Sequence, residues 1–281
     1  MVKIMIDSAS DMTQKEADAL GMILVPIEVQ IDGELYMDGV DLSSSEFYDK
    51  LVQAKELPHT SLINEYRWHE AFEKATANGD DVVVIVLSSK LSGTLKCAQD
   101  AAKDFEGKVY VVDSLSATLS ERLLGEYALR LSKEGLGAKE IAEKLEAKKG
   151  KLHAYAMIDT LKYLKMGGRI SATTAFFGEL LGIKPIIGLV DGKVEVLGKE
   201  KGAKKASIAL KKIVEKDGGI DLSLPHGILW TGNDTTLRDK FIEDYNELWN
   251  GDLEIQKHMM SSTVGTHVGP GGFGLAYFAN E

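Results

Sequence analysis

An α/β fold of two halves, each with a mainly parallel sheet, is what this sequence predicts, and three observations carry the prediction. Short β-branched runs alternate with helical patterns along the chain. The runs are apolar at successive positions, as strands covered on both faces require. Two Asp-Gly steps, Asp32-Gly33 and Asp191-Gly192, lie between apolar runs, one in each half, where they mark hairpins.

Strands are expected at 2–6, 81–87, 109–112, 152–157, 227–231 and 253–258. Helices are expected at 13–20, 45–54, 65–77, 94–105, 120–133, 138–149, 203–216 and 235–248. The hairpins fall at 22–37 and 183–197. Lys148-Lys149-Gly150-Lys151 follows a charged helix and is polar, so the chain divides into domains 1–150 and 151–281. A ligand cleft is expected at their interface.

Composition narrows the function. The chain has 281 residues, 44% of them hydrophobic, enough for a sizeable core. Its net charge is −10, which opposes nucleic acid and anionic membrane surfaces as partners. One cysteine, Cys97, allows no internal disulfide and fits a reducing compartment. The six histidines lack metal-ligand spacing, so no metal site is expected. The first residues lack the apolar run of a signal peptide, and no apolar stretch approaches the ~20 residues that span a bilayer. The expectation is a soluble, cytoplasmic protein, not an integral membrane protein.

Four loops carry the candidate chemistry. Ser88-Ser89-Lys90-Leu91-Ser92-Gly93-Thr94 follows a strand and opens a helix. Hydroxyls and free amides at a helix start favour an anion, against a plain cap as the alternative. Leu57-Pro58-His59-Thr60-Ser61 alone reads as a turn and cap. Gly167-Gly168-Arg169 allows close backbone approach beside a guanidinium that can fork onto a carboxylate or phosphate. The glycine-rich segment 265–274 reads as an ordered loop before a final strand, with His267 as donor or base. Asp7, Asp11 and Asp113 read as structural caps. A Walker loop, a dinucleotide fingerprint and a nucleophile elbow are all missing.

Taken in order, these segments resemble the DegV family of bacterial fatty-acid-binding proteins. Asp7-Ser8-Ala9-Ser10-Asp11 resembles its opening motif, and Thr60-Ser61 its Thr-Ser loop. Ser88–Thr94 resembles its Ser-Ser-x-Leu-Ser-Gly-Thr segment, and Asp113-Ser114 its Asp-Ser step. Leu161-Lys-Tyr-Leu-Lys-Met-Gly-Gly-Arg-Ile-Ser171 matches its longest signature; Ile183-Lys-Pro-Ile186 and Gly265-Thr-His-Val-Gly-Pro-Gly271 complete the set. The sequence departs from the pattern at Leu62-Ile63, where Gln-Pro is usual, at Leu95, where Tyr is common, and by lacking glycines over 115–122.

The resemblance implies a fatty acid at the domain interface, its carboxylate held by Thr60, Ser92, Arg169 and His267, with Ser61, Gly93, Thr94 and Thr266 nearby. It implies no metal or cofactor, and a carrier that presents the carboxylate to a fatty acid kinase for conversion to an acyl-phosphate, with an acyltransferase as a further partner. A palmitate-length tail, about 14 methylenes at ~0.8 kcal/mol each, would add a gross ~11 kcal/mol. The tail would therefore dominate affinity and the polar loops orientation. Apolar walls could come from Ile27, Val29, Phe176, Phe177, Leu180, Leu181, Ile186 and Phe273, each of which also reads as plain core. The alternatives are a phosphotransferase or hydrolase acting on a small phosphorylated substrate, with His267 as base and Arg169 on phosphate, and an effector-sensing adaptor.

Overall fold

A computed structural model of the protein describes residues 1–170, 182–251 and 255–280. The first half runs β1 (Val2–Asp7), α1 (Gln14–Leu20), β2 (Ile23–Val25), β3 (Glu28–Ile31), β4 (Glu34–Met37), α2 (Ser44–Gln53), β5 (His59–Ser61), α3 (Glu65–Thr76), β6 (Asp81–Val86), α4 (Thr94–Ala102), β7 (Val109–Asp113), α5 (Thr118–Lys133) and α6 (Ala138–Lys148). The second runs β8 (Leu152–Met157), α7 (Lys162–Met166), β9 (Ile183–Val190), β10 (Lys193–Lys201), α8 (Ala203–Lys216), β11 (Gly227–Trp230), α9 (Thr236–Asp244), β12 (Gln256–Met259), α10 (Ser262–Val268) and β13 (Phe273–Phe278).

Local chemistry sets many boundaries. Thr13 with Glu16 and Ser43 with Glu46 form capping boxes that start α1 and α2. Asp32 and Gly33 both take positive φ, as do Asp191 and Gly192. The two pairs are therefore primed two-residue turns, and both expected hairpins form, β3–β4 and β9–β10.

The first sheet has the order β2-β1-β6-β7 and is parallel throughout. Its central strand β6, Asp-Val-Val-Val-Ile-Val, is buried beyond its first residue, because α3 and α4 cover one face and α5 and α6 the other. A small antiparallel sheet, β4-β3-β5, lies beside it. The second main sheet has the order β10-β9-β8-β13-β11-β12. The α/β class holds, but the expected parallel pairing does not: among the described residues of this sheet, only β11 and β12 pair parallel. A two-residue turn can join β9 to β10 only antiparallel, and the last strand, β13, inserts antiparallel to both β8 and β11.

Helix α5 lies between the two main sheets and is buried on nearly every side along its first half. Leu119, Leu123, Leu124 and Ala128 share one apolar cluster with Ile4, Ile6 and Val83 of the first sheet and Leu229, Ala276 and Phe278 of the second. Among the described residues, no helix is long and apolar enough to cross a membrane.

A second correction concerns 265–274, expected as loop: residues 265–268 belong to helix α10, which Gly269 ends at positive φ. Its start is held from the other half. Asp38 accepts from Ser262 N (3.1 Å), Ser262 Oγ (2.5 Å), Thr263 N (3.2 Å) and Thr263 Oγ1 (2.5 Å). Asp11 accepts from Ser261 N at 2.8 Å. A carboxylate there satisfies amides that a helix start leaves unpaired.

Asp38→Ala leaves four buried donors without their acceptor. Its urea unfolding free energy is expected to fall by about 3 kcal/mol or more. An unchanged midpoint would show that α10 does not depend on this carboxylate.

Candidate functional site

Between the two main sheets lies a cavity of about 540 Å³, within the rough 300–1,000 Å³ range of small-molecule sites. Much of its wall is apolar, including Ile27, Leu87, Ala156, Ile187, Leu229 and Met260. Thr60, Ser92, Arg169 and His267 reach it from four separate segments, and Lys90, Thr118 and Tyr155 also line it.

Thr60 lies on β5, which β3 holds by the pair Val29–Thr60. Ser92 lies in the loop between β6 and α4. Its Oγ accepts from Thr94 N at 3.2 Å and lies 2.9 Å from Thr94 Oγ1. Thr94 Oγ1 also accepts from Ile63 N at 3.3 Å, tying the Thr60 and Ser92 loops together. Arg169 follows α7; its Nε donates to Leu91 O at 3.4 Å, and a terminal nitrogen donates to Gly167 O. Among the described residues, no carboxylate pairs with Arg169. His267 lies near the end of α10 with Nε2 3.4 Å from Thr60 Oγ1.

Gly167 explains how the histidine fits. A Cβ there would overlap the His267 ring at Nδ1, so only glycine lets the α7 end approach so closely. Nδ1 is buried and has no hydrogen-bond partner among the described residues. Burial, and then the nearby Arg169 charge, lower the His267 pKa to about 4. The ring is therefore neutral at pH 7.

The structure thus brings Thr60, Ser92, Arg169 and His267 to one cavity, together with Ser61 and Gly93. Thr94 and Thr266 are fully buried and do not line it; Thr94 links the two loops, and Thr266 Oγ1 donates to Ser262 O at 2.8 Å. Of the apolar candidates, Ile27 lines the cavity, whereas Val29, Ile186 and Phe273 belong to core clusters away from it. Phe176, Phe177, Leu180 and Leu181 lie outside the described residues, as does Ser171.

The sequence reading missed the sheet face that forms one wall. Ile187 lines the cavity while its neighbour Ile186 packs under α8, because adjacent strand residues face opposite ways. It missed Ala117 and Thr118 too, at the start of α5. Their signal was weak: Thr118 adopts positive φ, rare for a β-branched residue and invisible in a sequence. The second half also closes on the serine loop directly, for Ser88 Oγ donates to Gly192 O at 2.7 Å in the β9–β10 turn. Among the described residues, no group of His, Cys, Asp and Glu could hold a metal ion.

The depressed His267 pKa has a consequence for stability. The unfolded chain takes up this proton near pH 6.5 and the folded protein only near pH 4. The His267 contribution is complete above pH 6.5 and is lost as pH falls from 6.5 towards 4. A His267→Gln variant should lose less stability than the parent across that window, by up to about 3 kcal/mol at its acid end. Parallel unfolding curves at pH 7 and pH 5 measure the difference; equal slopes would mean that His267 titrates normally.

With this geometry established, similarity to known proteins identifies the family. A family model described as "Uncharacterised protein, DegV family" matches residues 1–280. A DegV domain-containing protein of Caldanaerobacter subterraneus is 32% identical, the match covering 98% of both chains. The solved structure of a DegV family protein from Thermus thermophilus, described by its fatty acid binding, is 28% identical with a TM-score of 0.87 and 99% of each chain covered. A DegV family protein of Eubacterium eligens, solved loaded with heptadecanoic acid, is 25% identical with a TM-score of 0.84 over 100% of both chains. The chain belongs to the DegV family.

Proposed function

We propose that this protein binds one long-chain fatty acid in the cavity, with its carboxylate against Thr60, Ser92, Arg169 and His267. One observation carries the reading: a largely apolar cavity meets, among its polar residues, an arginine that no described carboxylate neutralises. A ligand with one anionic head and an apolar body matches that lining. The fatty acids of the Thermus thermophilus and Eubacterium eligens relatives support the choice of ligand.

Hydroxyls and a guanidinium orient the head, while burial of the tail supplies most of the affinity. The bound carboxylate offsets the Arg169 charge and gives His267 Nε2 an acceptor. The protein acts as a carrier, with domains 1–150 and 151–281 as its two walls. The sheets support that division, since the strands of the first main sheet fall within 2–113 and those of the second within 152–278. A cytoplasmic fatty acid kinase would phosphorylate the presented carboxylate, and an acyltransferase would take the acyl-phosphate onward. No cofactor of its own is needed for that role.

Native mass spectrometry of the purified protein, followed by solvent extraction, should find one fatty acid per chain. Arg169→Ala should weaken binding of added palmitate by roughly 10- to 100-fold. Unchanged affinity would remove Arg169 from the head site. Turnover of phosphate esters by the purified chain, lost in His267→Ala, would instead indicate a phosphotransferase or hydrolase.

A further inference from the structure

The face of the second sheet grades from small to large side chains along β8. Residues 152, 154 and 156 share one face, because strand side chains alternate. Ala156 pairs with Gly274, Ala154 with Ala276, and Leu152 with Phe278. The first two pairs are small and the third is large. Ala154 and Ala156 line the cavity; Leu152 and Phe278 do not, and pack into the shared core. Phe278 is fully buried, with its ring 5.7 Å from that of Tyr127 on α5.

Arg169 and His267 lie towards the other end of the strand. Arg169 follows β8 through α7, and α10, which carries His267, packs on α7. Ala154 is three residues back from Met157, roughly 10 Å along the strand, and Leu152 roughly 7 Å further. Leu189 and Val194, a cross-strand pair on β9 and β10, also line the cavity.

The geometry points to Ala154 as the residue that sets acyl-chain length. This rests on the fatty-acid reading above. The tail leaves the polar end, passes over Ala156, and ends above Ala154, where Leu152 and Phe278 stop it. A side chain longer than methyl at position 154 fills space that the last methylenes need. A shorter side chain at position 152 extends that space.

Affinities of straight-chain saturated acids from decanoate to stearate, measured on delipidated protein by displacement of a fluorescent fatty acid, test the assignment. In Ala154→Leu the longest acids lose two or three buried methylenes, a weakening of roughly 15- to 60-fold, while decanoate binds as in the parent. In Leu152→Ala the preferred length moves upward. Melting temperatures show whether each variant is folded, and the Leu152→Ala arm stands even if the added bulk at 154 unfolds the protein. A folded Ala154→Leu variant that weakens all acids equally, or a Leu152→Ala variant with the parent ranking, overturns the assignment. A parent that binds no acid of the series overturns the fatty-acid reading, and this inference with it.

Discussion

Buried carboxylates of the first half hold the start of a helix from the second. Asp11 accepts the amide of Ser261, and Asp38 the amides and hydroxyls of Ser262 and Thr263, and so they fix α10 against β3, β5 and α2. The end of that helix carries His267 into the cavity, beside Thr60. Without that clamp, a short helix of Ser, Thr and Gly would have little reason to form. The clamp has an electrostatic cost, since burial pushes both Asp7 and Asp11 up to about 7 and Glu121 well above the usual carboxylate range. Hydrogen bonds offset part of that cost: Asp7 accepts from Ala9 N and Leu87 N, both at 2.9 Å, and Asp11 from Ser261 N at 2.8 Å.

The same low-dielectric interior governs the candidate site. The Arg169 guanidinium donates to the backbone carbonyls of Leu91 and Gly167. His267 cannot also be charged beside it, and burial settles the matter in favour of the neutral ring. A neutral histidine, two hydroxyl loops and the cations Arg169 and Lys90 leave the lining net positive. Room for the apolar part of the cavity comes from small residues on adjacent strands: Ala154 and Ala156 of β8 lie beside Ala276 and Gly274 of β13.

Much of this was legible in the sequence, and the reasons are local. Positive φ at Asp32-Gly33 and Asp191-Gly192 is a property of two adjacent residues, so both hairpins could be read. Capping at Thr13 and Ser43 lies within one helical turn. The candidate residues that line the cavity were picked out through motifs, which spell loops in order. What was missed depends on distant partners. Helix α10 needs an aspartate 224 residues away in sequence, so its weak helix formers read as loop. The antiparallel second sheet depends on where β13 inserts, which no local pattern specifies. Ile186 and Ile187 are the same residue type side by side, and only the register shows which one faces the cavity.

Where the ligand's charged end lies decides whether the carrier reading holds. A crystal structure of the protein with palmitate tests it most directly. The account predicts a carboxylate within hydrogen-bond distance of Thr60, Ser92, Arg169 and His267, with the tail lying along the Ala156–Ala154 face. A carboxylate placed elsewhere, or an empty cavity at saturating palmitate, would contradict it.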